Sequence, residues 1–367
     1  MFYHLFAPLV EVSILFNVFR YVTFRAIAAF VTALIFSLFI GPKMIRMLKK
    51  GNVVETINEN VPETHKAKNG TPTMGGLIIL TALLLATLLW NNLTNSYVLI
   101  MLLVAFWLGG IGFIDDYLKN LLKYQKGLIA RYKLIGQITI SLIVVFAIYF
   151  ASSDKQAFTT ISVPFFKDFM LHLGWFYFPF VVIMIVGTSN AVNITDGLDG
   201  LAGGTLAIAA LALGAMAYIK GNINHADYLQ LSFIKEAGEL TVFVAAIIGT
   251  LLGFLWFNSK PAQVFMGDIG SLTLGGIMAT LALLLKEEIF FAIVCGIFVL
   301  EALSTIIQRY YFKFTRIKTG TGKRVFLCAP LHHHFEKKGI PEEKIVVRFW
   351  IVASLFAALG LATIKLR

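Results

Sequence analysis

The chain has 367 residues, 58% of them hydrophobic and only 14% charged, and its mean hydropathy is +0.81. Those values exclude a water-soluble globule and a disordered chain, because too little polar surface is present to face water. The formal net charge of +11 points to a field that attracts anionic lipids and anionic substrates at a membrane face; no nucleic-acid partner is expected.

Taken in chain order, residues 4–19 are apolar but lack a basic leader and a small-residue cleavage site. They read as an interfacial helix and not as a signal peptide. A transmembrane helix needs ~20 mainly apolar residues. Runs of that kind occupy 23–41, 74–92, 97–114, 132–151, 174–192, 200–219, 239–257, 267–285, 288–307 and 346–364. The expected fold is all-α: a polytopic membrane protein with about ten transmembrane helices, forming a single integral membrane domain over 1–367. An even number of spans leaves both termini on one side. With the first connecting loop inside, the inner loops, the last one counted over 308–348, carry 22 of the 31 Lys and Arg residues. The basic side faces the cytoplasm, so both termini are expected to be periplasmic. Segments 42–73, 115–133, 193–199, 258–268 and 308–345 then form one cytoplasmic face.

Segment 308–325 is basic and aromatic, and it either runs along the inner interface or extends the ninth helix into the cytosol. Its Thr319-Gly320-Thr321-Gly322 stretch is no P-loop, since Lys323 is followed by Arg324. Cys295 falls in mid-membrane and Cys328 in the last inner loop, and a disulfide between them is not expected in a reducing compartment.

Four polar clusters end long apolar runs on that same inner side. Asp115 and Asp116 close the third run. Neighbouring helix residues point ~100° apart, so two roles are more natural for them than a shared ion. Carboxylates at a helix C-terminus also oppose the macrodipole, which disfavours a merely solvated helix end. Asn193, Asp196 and Asp199 are spaced to share a broad helix face, with Gly197 and Gly200 leaving room for a ligand. Asp268 opens the eighth run. It either caps that helix or holds a Mg²⁺ that bridges phosphate oxygens. His332, His333 and His334 follow Pro330-Leu331. No further zinc-ligand pattern accompanies them, so contact with phosphate or substrate is expected. In the second inner loop lie Lys119, Lys123, Lys126, Arg131 and Lys133, of which at most two are expected to touch substrate. Lys68 stands before a turn into the second run, where it is placed either to meet a diphosphate or to snorkel. Carboxylates at a membrane edge beside a basic loop suit metal-assisted phosphate chemistry on a lipid.

The longer motifs carry a resemblance. Thr71-Pro72-Thr73-Met74-Gly75-Gly76, Gly112-Phe113-Ile114-Asp115-Asp116-Tyr117, Asn190-Ala191-Val192-Asn193-Ile194-Thr195-Asp196-Gly197-Leu198-Asp199-Gly200, Gly253-Phe254-Leu255-Trp256-Phe257-Asn258 and Pro261-Ala262-Gln263-Val264-Phe265-Met266-Gly267-Asp268 resemble the polyprenyl-phosphate N-acetylhexosamine-1-phosphate transferases. Pro330-Leu331-His332-His333-His334-Phe335-Glu336 with Gly339 is similar to the bacterial branch of phospho-N-acetylmuramoyl-pentapeptide transferases. The match runs nearly end to end; Ile194 and Lys260 depart from it at non-catalytic positions.

The resemblance implies a reaction: phospho-N-acetylmuramoyl-pentapeptide passes from UDP-MurNAc-pentapeptide to undecaprenyl phosphate, giving lipid I and UMP, in the first membrane step of peptidoglycan synthesis. It implies Mg²⁺, a homodimer in the bacterial inner membrane and an active site facing the cytoplasm. By position, Asp268 resembles the Mg²⁺ ligand and Asn193 a second one, Asp115 the base and Asp116 its essential neighbour. Phe265, Gly197, Leu198 and Asp199 resemble the uridine pocket. Lys68, Thr73, Asp196, Asn258, Gln308, His332, His333 and His334 resemble further substrate contacts, with Lys119 and Lys133 drawn from the basic loop. Two other readings stay open: transfer of GlcNAc-1-phosphate, and an ion-coupled transporter whose carboxylates form a relay. A relay belongs near the midplane of the spans, whereas these carboxylates fall at their ends.

Overall fold

The computed structural model describes residues 1–51, 53, 70–124, 127–152, 154–163 and 170–365. The long apolar runs all become helix. The principal helices are α1 (Val22–Lys50), α2 (Gly76–Trp90), α3 (Ser96–Asn120), α4 (Ala130–Ala151), α5 (Tyr177–Thr195), α6 (Leu201–Lys220), α7 (Ala237–Asn258), α8 (Gly267–Leu285), α9 (Glu288–Val294), α10 (Gly296–Thr319), the short polar α11 (Leu331–Lys337) and α12 (Glu342–Ala362). Between α4 and α5 a short antiparallel hairpin pairs β1 (Thr160–Ser162) with β2 (Met170–His172). Among the described residues, eight helices are long and apolar enough to cross a membrane, and the bent pair α9–α10 makes a ninth if it is one span. The 15-residue α2 occupies the second expected run.

Two expectations change. Residues 4–19 are not one helix: a turn at Phe2–Phe6 gives way to 3₁₀ segments at Ala7–Glu11 and Ile14–Arg20. Pro8 has no N–H with which to continue the first turn, and the Ser13 side chain starts the last segment by accepting from the Leu15 N–H. The ninth run is not a straight span either. It bends by 77° between Val294 and Gly296, and α10 then continues without interruption to Thr319. Segment 308–325 therefore begins as an extension of that helix.

At the centre stands α8, buried from Asp268 to Leu285, with α3 and α5 as its principal neighbours. Its small residues let other backbones come close, as membrane helices require. On α3, Gly112 shows the tightest approach: a Cβ there would collide with the backbone of Asp268 and Ile269. That contact lies one turn before Asp115 and Asp116, so it brings the end of α3 against the start of α8. Around this core, α1, α4 and α12 present apolar side chains outward, among them Phe39, Ile135 and Leu355. Lipid is the solvent that tolerates such a surface.

At the opposite end of the same helices lies a cavity of about 1310 Å³, roofed by the hairpin and lined in part by Tyr97, His172, Lys220, Glu236 and Lys286. Its two lysines are already paired: Lys220 with Glu287 and Lys286 with Glu288. It shares no residue with the carboxylate cluster.

Candidate active site

Four helices meet around Asp268. Lys119 lies one turn beyond Asp115 on α3, and its Nζ donates to Asp115 Oδ2 at 2.7 Å and to Asp268 Oδ2 at 2.8 Å. Lys133, on the first turn of α4, repeats the pattern at 2.8 Å and 2.7 Å. Two ammoniums are thus shared by the same two carboxylate oxygens. The second oxygen of Asp115 accepts the Leu128 N–H at 2.6 Å. The second oxygen of Asp268 accepts from the Asn193 side-chain amide on α5, which also donates to Ser271 Oγ at 2.8 Å.

Asp116 does something different. Its Oδ1 accepts the Asp268 N–H at 3.2 Å and its Oδ2 the Ile269 N–H at 3.1 Å. It is the N-terminal cap of α8, supplied by another helix. A carboxylate there meets unsatisfied N–H groups and the positive end of the dipole. The capping role considered for Asp268 is therefore filled by Asp116, and the Asp268 side chain is turned toward the lysines. The adjacent aspartates thus bond to different groups, and both are buried.

Thr73 and Phe265 arrive together because their segments are laced by backbone bonds. The Phe265 N–H donates to Pro72 O, and the Gly75 and Gly76 N–H groups donate to Phe265 O and Met266 O. Gly267 follows at φ +72°, a left-handed turn that favours glycine. A Cβ there would press on Asp116 and Thr73. Phe265 remains half-buried beside this turn.

Asn193, Asp196 and Asp199 do not share one helix face. Helix α5 ends at Thr195, and the turn before α6 re-aims the later residues. Asp196 and Gly197 are half-buried in that turn, and Leu198 is buried against Leu201, Phe349 and their neighbours. Asp199 Oδ2 accepts the Ala262 N–H at 3.1 Å, and its own N–H donates to Glu342 Oε1 at 2.9 Å. Asn258 ties the Gly200 N–H to the Val264 carbonyl at 3.1 Å and 3.0 Å. Gln308 accepts the Val325 and Phe326 N–H groups, each at 3.0 Å. The polar atoms of Asp199, Asn258 and Gln308 thus brace the loops around the site. Lys260, the departure from the family pattern, pairs with Glu342 and Glu343. Lys68 and Lys126 lie outside the described residues.

The three histidines diverge. His332 is buried, with Nδ1 at 3.2 Å from Glu301 Oε2. Its Nε2 is buried without a hydrogen-bond partner and lies against Gly197. Burial holds its pKa below the ordinary 6.5, against the pull of Glu301. With Glu301 on Nδ1, the neutral ring carries its proton there and its lone pair on Nε2. His333 meets Glu336 at 2.6 Å, and His334 Nδ1 accepts the Leu327 N–H at 3.0 Å. Glu301 was not foreseen. It also accepts the Leu331 and His332 N–H groups and so fixes the start of α11. A lone Glu inside the apolar stretch of α10 was the available signal, since a buried carboxylate needs partners.

Among the described residues, no group of three or more His, Cys, Asp or Glu side chains is placed to hold a metal ion. A closed site of the zinc type is therefore lacking there. Mg²⁺ asks for less: one or two carboxylates, with waters and substrate phosphates completing its shell. The gap between Asp115 and Asp268 fits such a cation, because it already gathers two unit positive charges.

Known proteins resemble the chain along its length. Glycosyl transferase family 4 matches residues 98–286, and the first phospho-N-acetylmuramoyl-pentapeptide-transferase signature matches residues 68–80. A phospho-N-acetylmuramoyl-pentapeptide-transferase of Thermodesulfovibrio yellowstonii is 50% identical over 351 residues, covering 96% of each chain. Enzymes of the same name from Pelodictyon phaeoclathratiforme and Oleidesulfovibrio alaskensis are 49% and 48% identical; the first covers 96% of this chain and 95% of its own, the second 100% of both.

Proposed function

The chain belongs to the phospho-N-acetylmuramoyl-pentapeptide-transferase family, and from that premise we propose that it transfers phospho-N-acetylmuramoyl-pentapeptide from UDP-MurNAc-pentapeptide to undecaprenyl phosphate, giving lipid I and UMP. The observation that carries this reading beyond similarity is the cluster in which Asp115 and Asp268 share Lys119 and Lys133. It combines acidic groups for a cation with basic groups for a diphosphate, at the end of membrane-crossing helices.

Mg²⁺ belongs to the proposal, with Asp268 as its main ligand and Asn193 as a second. When bound, it would offset the charge that builds on the departing UMP. The protein's own groups do the rest. Lys119 and Lys133 hold the diphosphate, Phe265 offers its face to uracil, and the Gly197–Asp199 turn borders that pocket. Asp116 fixes the N-terminus of α8 and with it the height of Asp268.

Both oxygens of Asp116 accept α8 N–H groups, and both of Asp115 accept donors. Asp116, with both oxygens on backbone N–H groups, presents no unengaged oxygen for a covalent phospho-enzyme, which supports direct attack by the lipid phosphate. An oxygen of that phosphate bonds to the β-phosphorus, the bond from phosphorus to the UMP oxygen breaks, and the electron pair leaves with UMP. A phosphate monoester has a second pKa of ~6, so the attacking group is mostly dianionic at neutral pH. Asp115 then serves to hold the two lysines at the site until the diphosphate arrives.

The proposal places this end of the helices in the cytoplasm, supported by the 22 of 31 basic residues on the inner loops. It includes a homodimer, supported by the family resemblance. Purified protein in detergent, supplied with UDP-MurNAc-pentapeptide and undecaprenyl phosphate, should release UMP only when both are present. Preference for UDP-GlcNAc would move the chain to the sister branch. A stoichiometric UMP burst without lipid would replace direct attack by a covalent route.

A further inference from the structure

The two lysines at the site are held unusually. Each ammonium donates to Oδ2 of Asp115 and to Oδ2 of Asp268. The carboxylates are fixed: Asp115 by the Leu128 N–H and the close packing at Gly112, and Asp268 by Asn193 and by the capped start of α8. The ammoniums sit on long, flexible arms. The Asp115 side chain is 1% exposed and that of Asp268 is 11% exposed, against 39% for Lys119 and 17% for Lys133. The acidic half is therefore rigid and the basic half has an open way out.

We propose that Lys119 and Lys133 are a resident counter-ion, which occupies the gap between Asp115 and Asp268, gives it up to a divalent metal, and is thereby released onto the substrate diphosphate. This rests on the reading of Asp268 as the Mg²⁺ ligand. The charges match: two ammoniums leave as one divalent cation enters, so the carboxylates stay neutralised throughout. Without either, two buried carboxylates would face each other across a poorly hydrated gap, which is costly. Metal binding in the free enzyme must then work against both lysines. A diphosphate changes the balance, because it gives the displaced ammoniums new anionic partners. Metal and nucleotide should each tighten the other's binding, and by the same factor. Lysines that merely waited for the diphosphate outside the gap would repel the metal weakly through solvent, and metal alone would not displace them.

The test uses the full-length protein in detergent and Mn²⁺ as the probe, with binding read by paramagnetic resonance with and without UDP. Wild type should bind Mn²⁺ more tightly once UDP is added. Lys119→Met and Lys133→Met should each bind Mn²⁺ roughly tenfold more tightly than wild type without UDP, within the usual range of coupling between sites, and should gain less from UDP. Amine acylation mapped by mass spectrometry gives a wild-type readout that does not depend on how the variants fold. Mn²⁺ alone should raise labelling of Lys119. Unchanged labelling, or unchanged or weaker Mn²⁺ affinity in both variants, overturns the counter-ion proposal while the metal site stands. No Mn²⁺ binding by wild type under either condition removes the metal site and the proposal together.

Discussion

Each end of the helix bundle buries lysine–carboxylate pairs, and the two ends build them in opposite ways. Away from the site, Lys220 and Glu287 are 2% and 0% exposed, and the Lys220 ammonium also donates to the Leu285 carbonyl. Lys286 likewise divides its donors among Glu288, the Tyr177 hydroxyl and the Phe158 carbonyl. There each ammonium has its own carboxylate, and fixed groups complete its shell. At the site, two ammoniums crowd onto two shared oxygens. Individually completed pairs hold elements together, whereas pairs that share the same oxygens can exchange partners. Burial of charge alone does not separate function from structure; the bonding pattern does.

The comparison breaks most visibly at Asp268. Asp268→Asn keeps the size and removes the charge, so turnover should fall on the order of a thousandfold, as when a group acting on transition-state charge is lost. Thermal stability in detergent should change little. More than a tenth of wild-type activity at saturating Mg²⁺ would show that Asp268 is not the main ligand. The mirror experiment is Lys220→Met. Removing one partner of a buried pair typically costs about 3–5 kcal/mol, so the melting temperature should drop clearly while the folded fraction keeps its kcat. Equal loss of activity and stability in both variants would erase the distinction between the ends.

Phe265→Ala sharpens the site side by a smaller step. Base stacking on an aromatic is worth ~1–3 kcal/mol, so uridine-nucleotide affinity should weaken roughly ten- to hundredfold. Unchanged affinity would move the uridine pocket away from the 265–267 turn. His332 gives a smaller effect still. Its folded pKa lies below 6.5, so at pH values under about 6.5 the unfolded chain takes up a proton that the folded chain resists. Stability should decline as pH falls through that range and be level above it. In a comparison of melting temperatures across pH, His332→Asn should lose that share of the slope. An identical slope in the variant would mean that His332 does not resist protonation.

Much of this was legible in the sequence, for physical reasons. Lipid demands long apolar helices, and every expected run holds helix, although the second is short and the ninth bends. Apart from Glu301, the carboxylates fall at the ends of the runs, which is why Asp115, Asp116 and Asp268, with Asn193, read as clusters on one face. What stayed hidden depends on distant partners. Asp116 caps a helix that begins about 150 positions later, and no local pattern announces a cap supplied from elsewhere. The motif Asn193–Asp199 looks helical by spacing, yet the helix stops at Thr195 and the chain turns into α6 through Gly200 at φ +79°. Asn258 and Gln308 bond to backbone groups in other segments, which residue type alone does not reveal. The bend at Cys295 and the grip of Glu301 on α11 likewise come from packing.

The enclosure of α8 has a consequence for how the enzyme lives in lipid. Helices that touch the bilayer tilt or shift when its thickness changes, and α1, α4 and α12, with a third of their apolar stretch buried, are of that kind. The corresponding stretch of α8 is 100% buried and so touches no lipid. The depth of Asp268 is therefore set by protein contacts alone, with the outer helices acting as a compliant sleeve around a rigid post. Turnover in vesicles of stepped acyl-chain length should accordingly stay nearly flat, and a steep optimum at one thickness would show that the post moves with its sleeve.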